Sequence, residues 1–231
     1  MWDTIVSSTP QIVQAGLEFT IPLSIISFAL GFIISIFTAM IRISNPKGNI
    51  VFKLLWRFLK LIADFYVWLF RSTPELVQLF IVFFGLPNIG IQFPAFTAGI
   101  VVFSLNTGAY CSESIRSAIQ SIPEGQWEAA SSIGMKYWQV MSLIIFPQAI
   151  RVALPPLSNS FISLVKDTSL ASSITITEMF MVSQQIAAKN YEPLLMYSIV
   201  AVYYAVICTL LTWLQHYLEK RTSRYLINRG A

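Results

Sequence analysis

Residues 128–147 read EAASSIGMKYWQVMSLIIFP, an amphipathic stretch charged at its edges and set between apolar segments of membrane length. Just upstream, Ser121, Pro123 and Glu124 open a helix. The serine hydroxyl can cap free amides, Glu124 three residues on completes a capping box, and Pro123 is tolerated in a first turn. Gly134 stands where that helix stops. The spacing predicts a helix of about a dozen residues, about 18 Å long at roughly 1.5 Å per residue. A second short helix then runs to Pro147. Two short helices joined at a glycine make a compact knob over residues 121–147, expected to be a docking surface on the cytoplasmic face.

The flanking sequence explains what the knob is attached to. Hydrophobic residues are 55% of the 231, charged residues only 11%, and mean hydropathy is +0.66. Soluble domains are about a quarter charged, so this composition excludes them. The chain reads as one all-α integral membrane domain over residues 1–231, with five spans at about 17–41, 52–86, 96–119, 155–182 and 194–216. Each is long enough for the roughly 30 Å hydrocarbon core. The second span starts on a basic, interfacial face carrying Lys53, Arg57, Lys60 and Asp64, breaks at Ser72-Thr73-Pro74 and resumes at Glu75. Pro155-Pro156 opens the fourth, and residues 183–193 form a polar connection to the fifth.

Orientation follows from basic residues in the short connections. Arg42, Lys47, Lys53, Arg57 and Lys60 flank the first connection, Lys136 and Arg151 the third, and Lys220, Arg221, Arg224 and Arg229 fill the tail. These sides are expected to be cytoplasmic, which places the N-terminus outside and the C-terminus inside. The net charge of +4 is dispersed over these edges, so no nucleic-acid patch is expected. The first apolar segment has no basic leader or small-residue cleavage pattern, so no cleavable signal peptide is expected. Cys111 and Cys208 lie in apolar segments and read as reduced packing residues, and His216 as an interfacial side chain.

Ionisable residues at bilayer depth cost about 2.5 to 3.5 kcal/mol on insertion scales and call for an explanation. Counted from Pro155, Asp167 lies about 18 Å in, near the midplane of a roughly 30 Å core. Asn106 on the third span and Glu75 on the second reach similar depth. Three spans thus aim polar groups at one level. Asp167 and Lys166 are adjacent and point about 100° apart, so they do not easily satisfy each other, although pairing with a neighbouring helix would also explain Asp167. Glu75 has Arg71 four residues away, so an internal ion pair competes with ligand contact there. Glu113 and Arg116, three apart, read as a mutual pair, and Ser158, Asn159, Ser160 and Ser163 as either a polar path or close helix packing.

The sequence also carries a family resemblance. Glu128-Ala129-Ala130, then Gly134, Ile144 and Phe146-Pro147 resemble the EAA loop of ABC importer membrane subunits, with Phe146 where a leucine is usual. The run Asn106-Thr107-Gly108-Ala109-Tyr110, then Glu113, Arg116 and Pro123-Glu124-Gly125-Gln126, resembles the polar amino acid branch of those permeases. LPPLSNSFISLVKDTSL over residues 154–170 is similar to the L-cystine permeases of that branch. The resemblance implies the type I ABC importer permease fold in a bacterial cytoplasmic membrane. In that family the loop is a coupling helix held in a cleft of the ATPase subunit, which would make Glu128, Ala129, Ala130 and Gly134 the coupling residues. It further implies two copies of an ATP-binding cassette ATPase that carry the ATP and Mg, an extracytoplasmic amino acid binding protein, a second permease copy in a homodimer, and surrounding membrane lipids. The polar groups at span depth are expected to line a substrate pocket, with Asp167 on an ammonium, Asn106, Thr168, Ser169 and broken-helix backbone donors on the carboxylate, and Glu75 beside them. The resemblance points the same way for residues 166–170, whereas at Glu75 that family more often has an apolar residue.

No GxxxxGK[ST] loop occurs, and a single histidine leaves no Ser-His-Asp set, so the chain is not expected to be an enzyme or to need a cofactor of its own. Within the family, glutamine, glutamate, arginine and histidine remain alternative substrates to L-cystine. An ion-coupled secondary transporter, with Lys166, Asp167 and Glu75 as proton or sodium relays, would usually show inverted repeats, and none is detected. A membrane anchor without transport leaves the mid-depth polar groups unexplained.

Overall fold

The computed structural model describes residues 2–44 and 48–223. Asn45, Pro46 and Lys47 of the first connection, and Arg224 and Arg229 of the tail, lie outside the described residues. Among those described, the chain is helical without strands. Eight elements carry it: α1 (Trp2–Ile43), α2 (Ile50–Ser72), α3 (Glu75–Ile89), α4 (Ala95–Gln120), α5 (Glu124–Ser132), α6 (Tyr137–Ile174), α7 (Met179–Asn190) and α8 (Pro193–Ser223). Four of them, α1, α4, α6 and α8, are long and apolar enough to cross a membrane. The remaining span is divided, as the Thr73-Pro74 pair predicts: α2 is too charged and α3 too short to be a conventional span, and together they make the crossing.

The centre of the bundle is α1 against α4. Ser24, Ser27, Gly31, Ser35 and Thr38 form a buried small-residue face on α1, which lets two backbones approach as membrane helices do. At Gly31 an added Cβ would stand 2.8 Å from the Ser104 carbonyl oxygen, so no larger residue fits without parting the helices.

Several helix boundaries differ from the sequence-based expectation. The first helix begins at Trp2 rather than near residue 17, and its early part packs Ile12 against Met179, Met196 and Val200. Ser121 does not cap α5. Its hydroxyl is spent on the Ala118 carbonyl at 2.8 Å, closing α4, and Pro123 takes the cap position instead. The fourth span starts at Tyr137 and not at Pro155, because the helix passes through Pro147, Pro155 and Pro156 unbroken.

Three π turns account for much of this tolerance. They occupy Gly16–Thr20, Ile81–Gly85 and Met141–Ile145, and each ends two residues before a proline: Pro22, Pro87 and Pro147. A widened turn gives the ring room and moves the ladder past the missing N–H.

The same span ends earlier than 182. After Asp167 the chain tightens into a 3-10 turn, Thr168–Ile174, then Thr175 adopts φ 68 and α7 starts at Met179. The hydroxyls of Thr168, Ser172 and Ser173 each donate to the carbonyl three residues back, at 2.6 to 2.7 Å, which favours the tighter turn over a continuing α-helix. Residues expected to form a polar connection from 183 are therefore helical to Asn190, and Tyr191 at φ 58 makes the turn into α8.

Candidate functional site

A cleft of about 420 Å³ opens where α3, α4 and α6 face one another. Glu75, Asn106 and Asp167, three of the five residues expected at a substrate site, line it together. Each arrives by a different local device. Glu75 is the first helical residue after the Thr73-Pro74 break, Asn106 sits midway along α4, and Asp167 is the last α-helical residue of α6. Asn159, Ser160 and Ser163 line the same cleft, whereas Ser158 faces an apolar groove on another flank of α6.

Thr168 and Ser169 do not line the cleft. Thr168 is fully buried and its hydroxyl donates to the Val165 carbonyl at 2.7 Å, while the Ser169 carbonyl accepts the Ser172 hydroxyl. The cause is the change of helix type at Asp167: a 3-10 turn rotates successive residues by about 120°, carrying them off the face that α6 presents to the cleft.

Sequence reasoning also missed Gln78. Its Nε2 donates to the Phe70 and Thr73 carbonyls, each at 3.1 Å, and to the Thr73 hydroxyl at 2.9 Å, filling acceptors that the broken helix leaves open. Its Oε1 accepts the Asn106 Nδ2–H at 3.1 Å. Asn106 is thus fixed against the break, and the only signal for Gln78 was an amide in an otherwise apolar run shortly after a proline.

The charges are arranged unevenly. Arg71 does not pair with Glu75, because the break between them destroys the i, i+4 relation. It lies instead 3.9 Å from Glu113 and over the Tyr110 ring, 5.5 Å from its centroid. Glu113 also binds Arg42 at 2.7 Å and pairs with Arg116, and Arg42 extends to Asp64 at 2.7 Å. Basic side chains thus gather on Glu113, and among the described residues no ion pair reaches Glu75 or Asp167. Lys166 is exposed and does not line the cleft, although its charge is felt at the neighbouring Asp167. Among the described residues, the lining of the cleft holds two carboxylates and no cation.

The knob is built differently. Glu128 and Ala129 are exposed on α5, while Ala130 is buried in a cluster with Val140 and Ile145. Gly134, at φ +82, closes α5, with its N–H on the Ser131 carbonyl and the Met135 N–H on that of Ala130. Trp127 stacks on Tyr137 at 5.8 Å, locking α5 to the start of α6. Ile133 and Trp138, 77% and 60% exposed, add apolar surface beside Glu128. No cluster of metal-ligating side chains occurs among the described residues.

A long-helix membrane bundle with a polar cleft beside the middle of α4 and a separate knob between two spans is the build of a transport permease. The chain belongs to the family of binding-protein-dependent transport system inner membrane components, whose model matches residues 50–224. It is 45% identical over 226 residues to the L-cystine transport system permease protein TcyB of Bacillus subtilis (strain 168), covering 97% of this chain and 92% of that one. It is 41% identical to the probable amino-acid ABC transporter permease protein YckA of the same organism, over 96% of this chain and 93% of the relative. Among solved structures, a chain from one described as an amino acid ABC transporter with histidines superposes at a TM-score of 0.86, with 32% identity, over 96% of this chain and 98% of that one. An inward-facing MetNI methionine ABC transporter, 19% identical, shares the fold at a TM-score of 0.74 over 92% of this chain and 96% of its own.

Proposed function

We propose that this chain is the permease subunit of an ATP-driven importer of a polar amino acid, L-cystine first among the candidates. One observation carries the reading: two carboxylates share a cleft beside the middle of α4 whose lining, among the described residues, holds no basic side chain. A carboxylate away from water needs a counter-charge or donors, and an α-ammonium group supplies both. Cystine has an ammonium at each end, so a two-fold pair of clefts would meet both. The 45% identity to an L-cystine permease supports the same choice.

The exposed Glu128-Ala129 face, with Ile133 and Trp138 around it, is the proposed seat of one ATPase subunit, two per homodimer, each carrying ATP and Mg. An extracytoplasmic binding protein would deliver the amino acid from the N-terminal side. The path of force is direct. α6 runs without a break from Tyr137 at the knob to Asp167 at the cleft, about 45 Å at roughly 1.5 Å per residue. Motion of the knob would therefore move Asp167 as one end of a rod, alternating the cleft between outward and inward openings.

Uptake of radiolabelled L-cystine by proteoliposomes holding the full complex tests this, with glutamine, glutamate, arginine and histidine as competitors. ATP-dependent uptake suppressed by unlabelled cystine is the expected result. Competition by the other amino acids but none by cystine would reject the substrate, and uptake without ATPase subunits would reject the mechanism.

A further inference from the structure

Glu178 is fully buried, with 0% of its surface exposed. It caps α7: its carboxylate accepts the Phe180 N–H at 2.8 Å, the Met181 N–H at 2.7 Å and the Tyr204 hydroxyl at 2.7 Å. The Thr20 and Thr168 hydroxyls adjoin that of Tyr204. Thr20 Oγ1 also receives the Met179 N–H at 3.4 Å. Through the Tyr204 hydroxyl, the Glu178 carboxylate is thereby linked to the π turn of α1, the end of the fourth span and α8.

An ordinary cap would need none of this. Serine or aspartate at an exposed helix start satisfies the same amides without a partner from another span. Here Oε2 is shared between the Phe180 amide of its own helix and a tyrosine far along the chain, which turns a local cap into a tie between helices.

The position of the tie gives it a consequence. Between Asp167 and Glu178 the backbone passes through the 3-10 turn, the left-handed Thr175 and an extended stretch, so no continuous α-helix joins the two acids. The near end of this segment presents Asp167 to the cleft. The far end is held by Glu178.

We infer that Glu178 is a positioning residue for the cleft: by fixing the far end of residues 168–178 to α1 and α8, it sets the direction of Asp167 and hence the affinity for substrate. This rests on the cleft being the substrate site. Thr168, expected from sequence to touch substrate, belongs on this account to the tie and acts only through it.

The test uses the assembled transporter in proteoliposomes with the variants Tyr204→Phe, Glu178→Gln and the pair. Glutamine keeps the size but offers one acceptor oxygen and turns an N–H group toward donors. KM is read for radiolabelled L-cystine, and amide hydrogen exchange is read over residues 168–178. The expected result is faster exchange in that segment, a roughly tenfold rise in KM, maximal rate per assembled complex nearly unchanged, and a double variant no worse than Glu178→Gln, since both lose one shared bond. Tyr204→Phe removes a single hydroxyl and keeps the test open should Glu178→Gln fail to assemble. Lower thermal stability with unchanged KM, or unchanged exchange, would overturn the positioning role. Should the wild type take up another amino acid of the competitor panel and not cystine, the substrate assignment fails by itself, and KM for that amino acid then judges Glu178.

Discussion

Asp167 and Glu178 bound one short stretch of chain, and the protein treats the two carboxylates in opposite ways. Glu178 is sealed, with two backbone amides and the Tyr204 hydroxyl supplied from within. Asp167 opens into a cleft beside a second acid, Glu75, and among the described residues no ion pair reaches it. In apolar surroundings an acid is tolerable when its acceptors are filled. Where the chain fills them, the residue is architecture. Where it leaves them open at the level where α3, α4 and α6 meet, filling has to come from outside, which is what a transport site requires.

The largest expected effect tests the sealed side. Glu178→Ala would leave three buried donors without an acceptor, at about 1 to 3 kcal/mol each, so the loss should reach about 3 kcal/mol or more. Thermal denaturation of the detergent-solubilised protein reads it. A loss below about 1 kcal/mol would mean that water reaches these donors, and the contrast with Asp167 would fail.

Next in size is the knob. Glu128 is exposed on α5, so Glu128→Lys should leave folding and insertion intact while weakening ATPase capture by about 2 kcal/mol or more through like-charge or unpaired contact. Co-purification of the ATPase and substrate-dependent ATP hydrolysis measure it. Normal values for both would remove Glu128 from the docking face.

Asp167→Asn tests the open side. It keeps size and deletes charge, and no ion pair among the described residues is broken by it, so stability should stay within about 0.5 kcal/mol. Uptake should fall about tenfold, corresponding to about 1.4 kcal/mol. Destabilisation with intact uptake would mean that Asp167, like Glu178, is part of the packing.

These residues also show what a sequence can and cannot reveal. The all-α membrane fold, the Thr73-Pro74 break and the Gly134 stop were legible because they depend on local rules: apolar length, a missing amide, a left-handed turn. Glu75, Asn106 and Asp167 were legible as a group because charge or amide chemistry at span depth is costly wherever it occurs. Thr168 and Ser169 were misplaced because the switch from α to 3-10 geometry depends on hydroxyls bonding backward, a choice that a helix-forming apolar run conceals. Gln78 and Glu178 were overlooked for another reason. Their partners, Asn106 and Tyr204, come from other helices, and such pairings have no local spacing to betray them. The fourth span's true start was hidden because three prolines suggested a break that the π turn before Pro147 and the membrane setting remove.

The smallest expected effect is also the sharpest check on the open cleft, because it concerns the arginine nearest to it. Sequence spacing allows Arg71 to neutralise Glu75, whereas the fold turns Arg71 to Glu113 at 3.9 Å and onto Tyr110, whose ring stands between the cleft and the basic cluster. The Arg71 side chain is 43% exposed and its ion pair long, so its removal should change stability by no more than about 0.5 kcal/mol. Glu113 keeps Arg42 and Arg116 in any case. Arg71→Gln should accordingly leave cystine uptake within about twofold of wild type, under 0.5 kcal/mol by the usual conversion. A tenfold loss that Glu75→Gln restores in the double variant would show Arg71 reaching across to Glu75 during transport. The cleft would then carry its own counter-charge, and the absence of one could no longer be the ground for proposing that an ammonium group binds there.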